Sequence, residues 1–142
     1  MPPRDPIECG LPHRAPFIFI DAVIALDPGQ SAVCTKRFAA TEPFFKGHFP
    51  ENPLVPGVIL TEAAAQTAGI AAGGAGKTYR LSAIRQMKFI RPVLPDSVVE
   101  FFASKTGGIG AMLQFQVSAR VDGELVAEGV IILNEVNLQQ SQ

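Results

Sequence analysis

The sequence predicts an α+β domain in which an antiparallel sheet wraps one central buried helix. Three observations carry that prediction. Strand-like runs lie on both sides of a single proline-free stretch, that stretch is rich in alanine on every face, and Glu62 is its only charged residue. A helix that is apolar all round has no solvent side, so the strands must cover it.

Residues 17–26 are rich in Phe, Ile and Val and lie between Pro16 and the turn Asp27-Pro28-Gly29, which marks a strand. In residues 31–39, Val33, Thr35 and Arg37 alternate with Cys34, Lys36 and Phe38, the pattern of a hairpin partner with one solvated face. Between Glu42 and Gly57 stand Pro43, Gly47, Pro50, Pro53 and Pro56, too many backbone-fixing residues for a helix or a central strand, so a shaped loop is expected. Residues 57–72 then form one helix, with Pro56 suited to its first turn and Gly73-Gly74 to its stop. Strands are expected at residues 81–92, 98–105, 111–121 and 125–133, divided by Pro95-Asp96, Gly107-Gly108 and Asp122-Gly123. A single domain spans residues 1–142, with 1–10 and 134–142 as flexible tails.

Composition narrows the function classes. Of 142 residues, 47% are apolar and 18% charged, enough burial to offset chain entropy and to exclude a disordered or fibrous chain. A net charge of −1 lacks the basic excess of nucleic-acid binders. Cys9 and Cys34 have no CxxC spacing, and neither HExxH nor a paired Cys/His cluster occurs, so no disulfide framework, metal or cofactor is expected. The glycine-rich residues 69–78 fail as a phosphate loop because Ala71 stands where glycine is required and because they end a helix instead of opening one; they read as a helix stop and linker. The first ten residues do not resemble a signal peptide, and the longest apolar run, broken by Asp21, is far shorter than the ~20 residues that cross a bilayer, so no membrane role and a reducing, cytoplasmic location are expected.

The chemistry concentrates between Gly47 and Gln66. A histidine, His48, sits in a proline-held loop, a carboxylate, Glu62, sits on an apolar helix, and that helix opens at Gly57, whose N–H has no partner in the first turn. Each has a bland reading: a satisfied loop histidine, a glutamate paired with an arginine such as Arg91, a packing glycine. Together they are the parts required to abstract an α-proton beside a thioester carbonyl and expel a β-hydroxyl: a base, an acid and an oxyanion donor. His13, in Leu11-Pro12-His13-Arg14, reads as a capping or packing residue.

The run Gly47-His48-Phe49-Pro50, then Asn52-Pro53, then Pro56-Gly57-Val58, followed by Glu62 and Gln66, resembles the hot-dog-fold 3-hydroxyacyl-acyl-carrier-protein dehydratases of the FabZ type. The likeness continues in Leu11-Pro12-His13-Arg14, in Glu42-Pro43-Phe44-Phe45 and in Lys88-Phe89 with Arg91-Pro92-Val93, and so covers about residues 11–133. It implies that His48 is the base and Glu62 the group that protonates the leaving hydroxyl, directly or through water. It also implies that Gly57 N–H polarises the carbonyl, the Leu54 carbonyl orients His48, and Gln66 holds Glu62 or its water. The implied partners are acyl carrier protein and a second copy of the chain, in a homodimer with shared active sites that could assemble further as a trimer of dimers. Glutamate at position 62 resembles the FabZ branch, whereas related dehydratase-isomerases carry aspartate there. Two departures stand out: Glu51 where the family has glycine, and Pro95-Asp96-Ser97 in place of Pro-Gly-Asp. Docking an acidic carrier on a nearly neutral chain requires a local basic surface, for which Arg14, Lys36, Arg37, Lys46, Arg85, Lys88 and Arg91 are candidates. The alternatives are a hot-dog acyl-thioesterase, which leaves His48 unexplained, and a non-catalytic acyl-thioester-binding subunit, supported only by Glu51.

Overall fold

A computed structural model describes residues 2–73 and 77–137. Six strands and one helix follow in the order β1 Ala22–Asp27, β2 Ser31–Arg37, α1 Gly57–Ala72, β3 Lys77–Phe89, β4 Val98–Ile109, β5 Met112–Val121 and β6 Glu124–Asn137. A short 3-10 turn, Pro43–Lys46, lies in the loop before α1. The strands form one sheet in the order β1-β2-β4-β5-β6-β3, with every pairing antiparallel. The chain therefore leaves β2 near one edge and re-enters as β3 at the other. The connection has to cross the sheet, and α1 is that crossing.

The helix runs over the residues its composition predicts, and the reason is packing. Ala63, Ala64, Ala68 and Ala71 are fully buried, and their small side chains let the backbone lie close to the sheet. The opposing wall alternates as a one-sided sheet must: Val99, Phe101 and Ala103 on β4, and Phe115, Val117 and Ala119 on β5, are buried at every second position. The two buried threonine hydroxyls of the helix are satisfied within it, with Thr61 Oγ1 donating to Gly57 O at 2.9 Å and Thr67 Oγ1 to Ala63 O at 2.9 Å. Burial pushes the thiol of Cys34, on β2, up to about 12, so it packs as a small apolar group.

Turn chemistry sets the corners. Gly29 (φ 82°) closes the β1–β2 turn and donates its N–H to Ala71 O at 2.8 Å, so the same turn caps the end of α1. Asp122 (φ 51°) and Gly123 (φ 79°) take the two positive-φ positions of a type I′ hairpin, as their sequence predicts. Four expectations need correction. The first strand begins at Ala22, not at residue 17, because the backbone at Phe17 and Phe19 is captured by the Gln66 side chain. The third begins at Lys77, four residues before the expected start, because β6 continues to Asn137 and supplies its partners. Gly107 and Gly108 do not form the turn: β4 carries them to Ile109 past a bulge after Lys105, and the chain reverses at Gly110 (φ 60°). The expected tails are also shorter, since Arg4 bridges to Val23 and β6 takes in the first residues of the second tail. Residues 74–76 of the glycine-rich linker, Met1 and residues 138–142 lie outside the described residues.

Gly129, on β6 between β3 and β5, is the tightest of these strand positions. A Cβ there would meet the Gln86 carbonyl oxygen and come within 2.7 Å of Met87 Sδ. Gly129→Ala is expected to cost about 2 kcal/mol of stability through overpacking, read as a lowered thermal midpoint. An unchanged midpoint would show that β3 can withdraw at no cost.

Candidate active site

His48 is placed by the proline-held loop. Its N–H donates to Phe44 O at 3.0 Å, closing the 3-10 turn onto the loop, and its carbonyl accepts from Leu54 N at 2.8 Å. In return its ring Nδ1 lies 3.2 Å from Leu54 O. A carbonyl only accepts, so Nδ1 carries the proton and Nε2 keeps the lone pair that a base needs. Val55 N donates to Val93 O at 2.8 Å, which fastens the loop to the segment after β3, and the Phe49 ring stacks on the imidazole at 4.2 Å between centroids. The ring lines a cavity of about 300 Å³ together with Leu54, Gly57, Phe89 and Val93.

Gly57 opens α1 beside this cavity, where its N–H is among the four that a helix leaves without an internal acceptor. Glycine has a second reason here: a Cβ would sit 2.9 Å from Phe89 Cζ. The packing reading therefore holds at this position, and the oxyanion reading is compatible with it.

Glu62 lies on the same helix but lines a different cavity, of about 180 Å³, with His13, Gln66, Tyr79, Arg80 and Leu81. Its side chain is 21% exposed. Gln66, one turn on and 1% exposed, is locked: Oε1 accepts from Phe19 N at 2.9 Å, and Nε2 donates to Phe17 O at 3.1 Å and to Glu62 Oε2 at 3.1 Å. Among the described residues, the two cavities share no lining residue. The structure thus joins His48 to Leu54 and Gly57, and Glu62 to Gln66, but does not bring the two halves together within one chain.

Sequence reasoning missed His13. Its Nε2 lies 3.5 Å from Glu62 Oε2, a contact that no spacing signal gives, because the residues are far apart in the chain. Arg91, the arginine considered for Glu62, instead pairs with Glu124 at 2.8 Å. Glu51 is exposed and makes no ion pair among the described residues. Of the basic candidates, Lys36 pairs with Asp21, Arg37 with Asp96, and Arg85 donates to Gln114. No carboxylate of the described residues pairs with exposed Lys46 or Lys88. Those residues contain no cluster of three metal-ligating acidic, His or Cys side chains and no helix long and apolar enough to cross a membrane.

A family model described as the FabA-like domain matches residues 11–130. A 3-hydroxyacyl-[acyl-carrier-protein] dehydratase FabZ of Ruminiclostridium cellulolyticum is 45% identical over 129 residues, covering 85% of this chain and 88% of the relative. One of the same name from Allorhizobium ampelinum is 43% identical over 132 residues, covering 88% and 86%. Among solved structures, the dehydratase heterocomplex ApeI:P from Xenorhabdus doucetiae superposes with a TM-score of 0.77 at 18% identity, covering 95% of this chain and 93% of that one. The thioesterase HI1161 from Haemophilus influenzae gives 0.63 at 16% identity, covering 85% and 81%. At such identities these structures speak for the hot-dog fold alone.

Proposed function

The chain belongs to the FabA-like domain family, and from that premise we propose that His48 and Glu62, supplied by two copies of the chain, are its catalytic base and acid. Its function is dehydration of 3-hydroxyacyl-acyl-carrier-protein to the 2-enoyl thioester in fatty-acid biosynthesis, the activity that its curated relatives carry in their name. His48 Nε2 takes the α-proton while Gly57 N–H steadies the negative charge that builds on the thioester oxygen. The α C–H pair becomes the new double bond, the β C–O bond breaks, and the hydroxyl leaves as water with a proton from Glu62. Leu54 and Gln66 support the pair by holding the His48 tautomer and the Glu62 carboxyl.

One observation carries the shared site: the two reactive side chains face separate cavities at opposite ends of β3. Lys77, Tyr79 and Leu81, from the start of β3, line the Glu62 cavity, and Phe89, its last residue, lines that of His48. β3 is a sheet edge of 13 residues with Ile84 and Phe89 half exposed, an invitation to edge pairing, whereas the other edge, β1, has 6 and already takes the Arg4 bridge. Two-fold pairing of β3 with its copy sets the start of one strand against the end of the other, and so sets one Glu62 cavity against the other His48 cavity. A trimer of such dimers is a further assembly that the family resemblance allows.

Incubating the protein with 3-hydroxyacyl carrier proteins of several chain lengths, and following loss of water by mass, tests the reaction. Release of free carrier thiol in place of enoyl product would support a thioesterase, and binding without turnover a non-catalytic subunit. The carrier is acidic, and exposed Lys46, in the turn just before His48 and without a carboxylate partner among the described residues, is the docking residue we favour. Lys46→Glu is expected to raise KM about tenfold for carrier-bound substrate and little for a pantetheine analogue. Equal effects on the two substrates would remove this residue from the docking surface.

A further inference from the structure

We infer that His13 is a positioning residue that, with Gln66, holds Glu62 by one carboxyl oxygen and leaves the other to exchange the catalytic proton. This inference rests on the proposed role of Glu62 as the acid. Gln66 Nε2 donates to Oε2 at 3.1 Å, His13 Nε2 lies 3.5 Å from the same oxygen, and among the described residues no protein donor bonds to Oε1. A proton on Oε2 would confront two N–H groups, so the acid form carries it on Oε1.

His13 is built into this place. Arg14 Nη1 donates to Leu11 O at 3.0 Å, Pro12 O at 3.2 Å and His13 O at 2.7 Å, tying the turn that presents the ring, and Leu11 anchors it in the core at 3% exposure. The imidazole stacks on Phe17 at 6.3 Å and 21°. Phe17 O is in turn an acceptor of Gln66, so the segment that carries His13 is fastened to the same amide that holds Glu62. The ring's Nδ1 is buried and has no partner among the described residues, a cost that a ring present only for packing would avoid as phenylalanine. In the tautomer that carries its proton on Nε2, toward Glu62, Nδ1 is left as a buried lone pair, which costs less than a buried unpaired N–H.

Three variants at this position separate donation from packing, with Glu62→Ala as the reference in the same dehydration assay. His13→Ala is expected to lower kcat about tenfold or more with KM little changed, because a loosened carboxyl costs alignment in the transition state and not substrate binding. His13→Phe, which keeps the stack on Phe17 but has no donor, should be as slow as His13→Ala while holding the wild-type thermal midpoint. His13→Gln, whose amide can donate from the place of Nε2, should recover most of the rate. A His13→Phe variant at the wild-type rate, or a His13→Gln variant no faster than His13→Ala, overturns the inference while Glu62→Ala remains inactive. A Glu62→Ala variant that turns over normally would sink the acid assignment and, with it, any role for His13 in positioning that group.

Discussion

Replacing either His48 or Glu62 with alanine is expected to lower kcat by about a thousandfold, within the usual worth of a positioned proton-transfer group. Both variants should remain folded, for reasons visible around each side chain. Without the imidazole, the loop keeps the backbone bonds from His48 N to Phe44 O and from Leu54 N to His48 O. Without the Glu62 carboxyl, Gln66 still donates to Phe17 O and accepts from Phe19 N, so the first segment stays on the helix. The two groups serve one proton-transfer sequence, so the double variant should be little slower than the slower single one. Rates within a few fold of wild type for either variant, with circular dichroism unchanged, would refute the assignment.

The parts of this protein that were legible in the sequence are those fixed by local chemistry. Pro56 and Gly73 bound α1: Pro56 stands one residue earlier than expected, at the N-cap (ψ 137°) and not within the first turn, and Gly73, at φ 54°, takes a backbone conformation open to glycine. The all-round apolar helix implied a sheet on its faces, and Asp122-Gly123 marked the β5–β6 hairpin. Local composition also drew out His48, Gly57 and Glu62 as candidates, since a charge on an alanine-rich helix and a histidine among prolines are conspicuous locally, while their roles came from the family resemblance.

What was not legible depends on contacts between distant segments. Phe17 to Ile20 has the composition of a strand, yet Gln66 takes backbone groups that a neighbouring strand would have used. Gly107-Gly108 has the composition of a turn, yet β5 pairs alongside it, and the reversal falls at the next glycine with a positive φ. His13 was the larger miss. Nothing in Leu-Pro-His-Arg announces a carboxylate, and the contact exists only because Arg14 folds the turn while Gln66 fastens Phe17 beside Glu62. Glu62 itself is less enclosed than an alanine-rich helix implied, because its face of the helix looks into a cavity between the helix and the start of β3.

Co-refolding inactive His48→Ala with inactive Glu62→Ala is expected to restore activity to about a quarter of the wild-type level. If sites are shared across a two-fold, each mixed dimer has one site with both wild-type residues and one with neither, and random mixing makes about half of all dimers mixed. The same pairing makes a second demand on β3. A charge introduced at Ile84, which is 51% exposed at the middle of that edge strand, would meet its own copy across the axis and should weaken the dimer and activity together. Complementation separates a shared site from a merely dimeric protein, because a site complete within one chain gains nothing from mixing two inactive chains. Persistent inactivity, with mixed dimers counted by native mass spectrometry, would place both residues in one chain. The separation of their cavities would then have to close by a movement of the His48 loop against α1, to which Val55 and Val93 are the visible restraint.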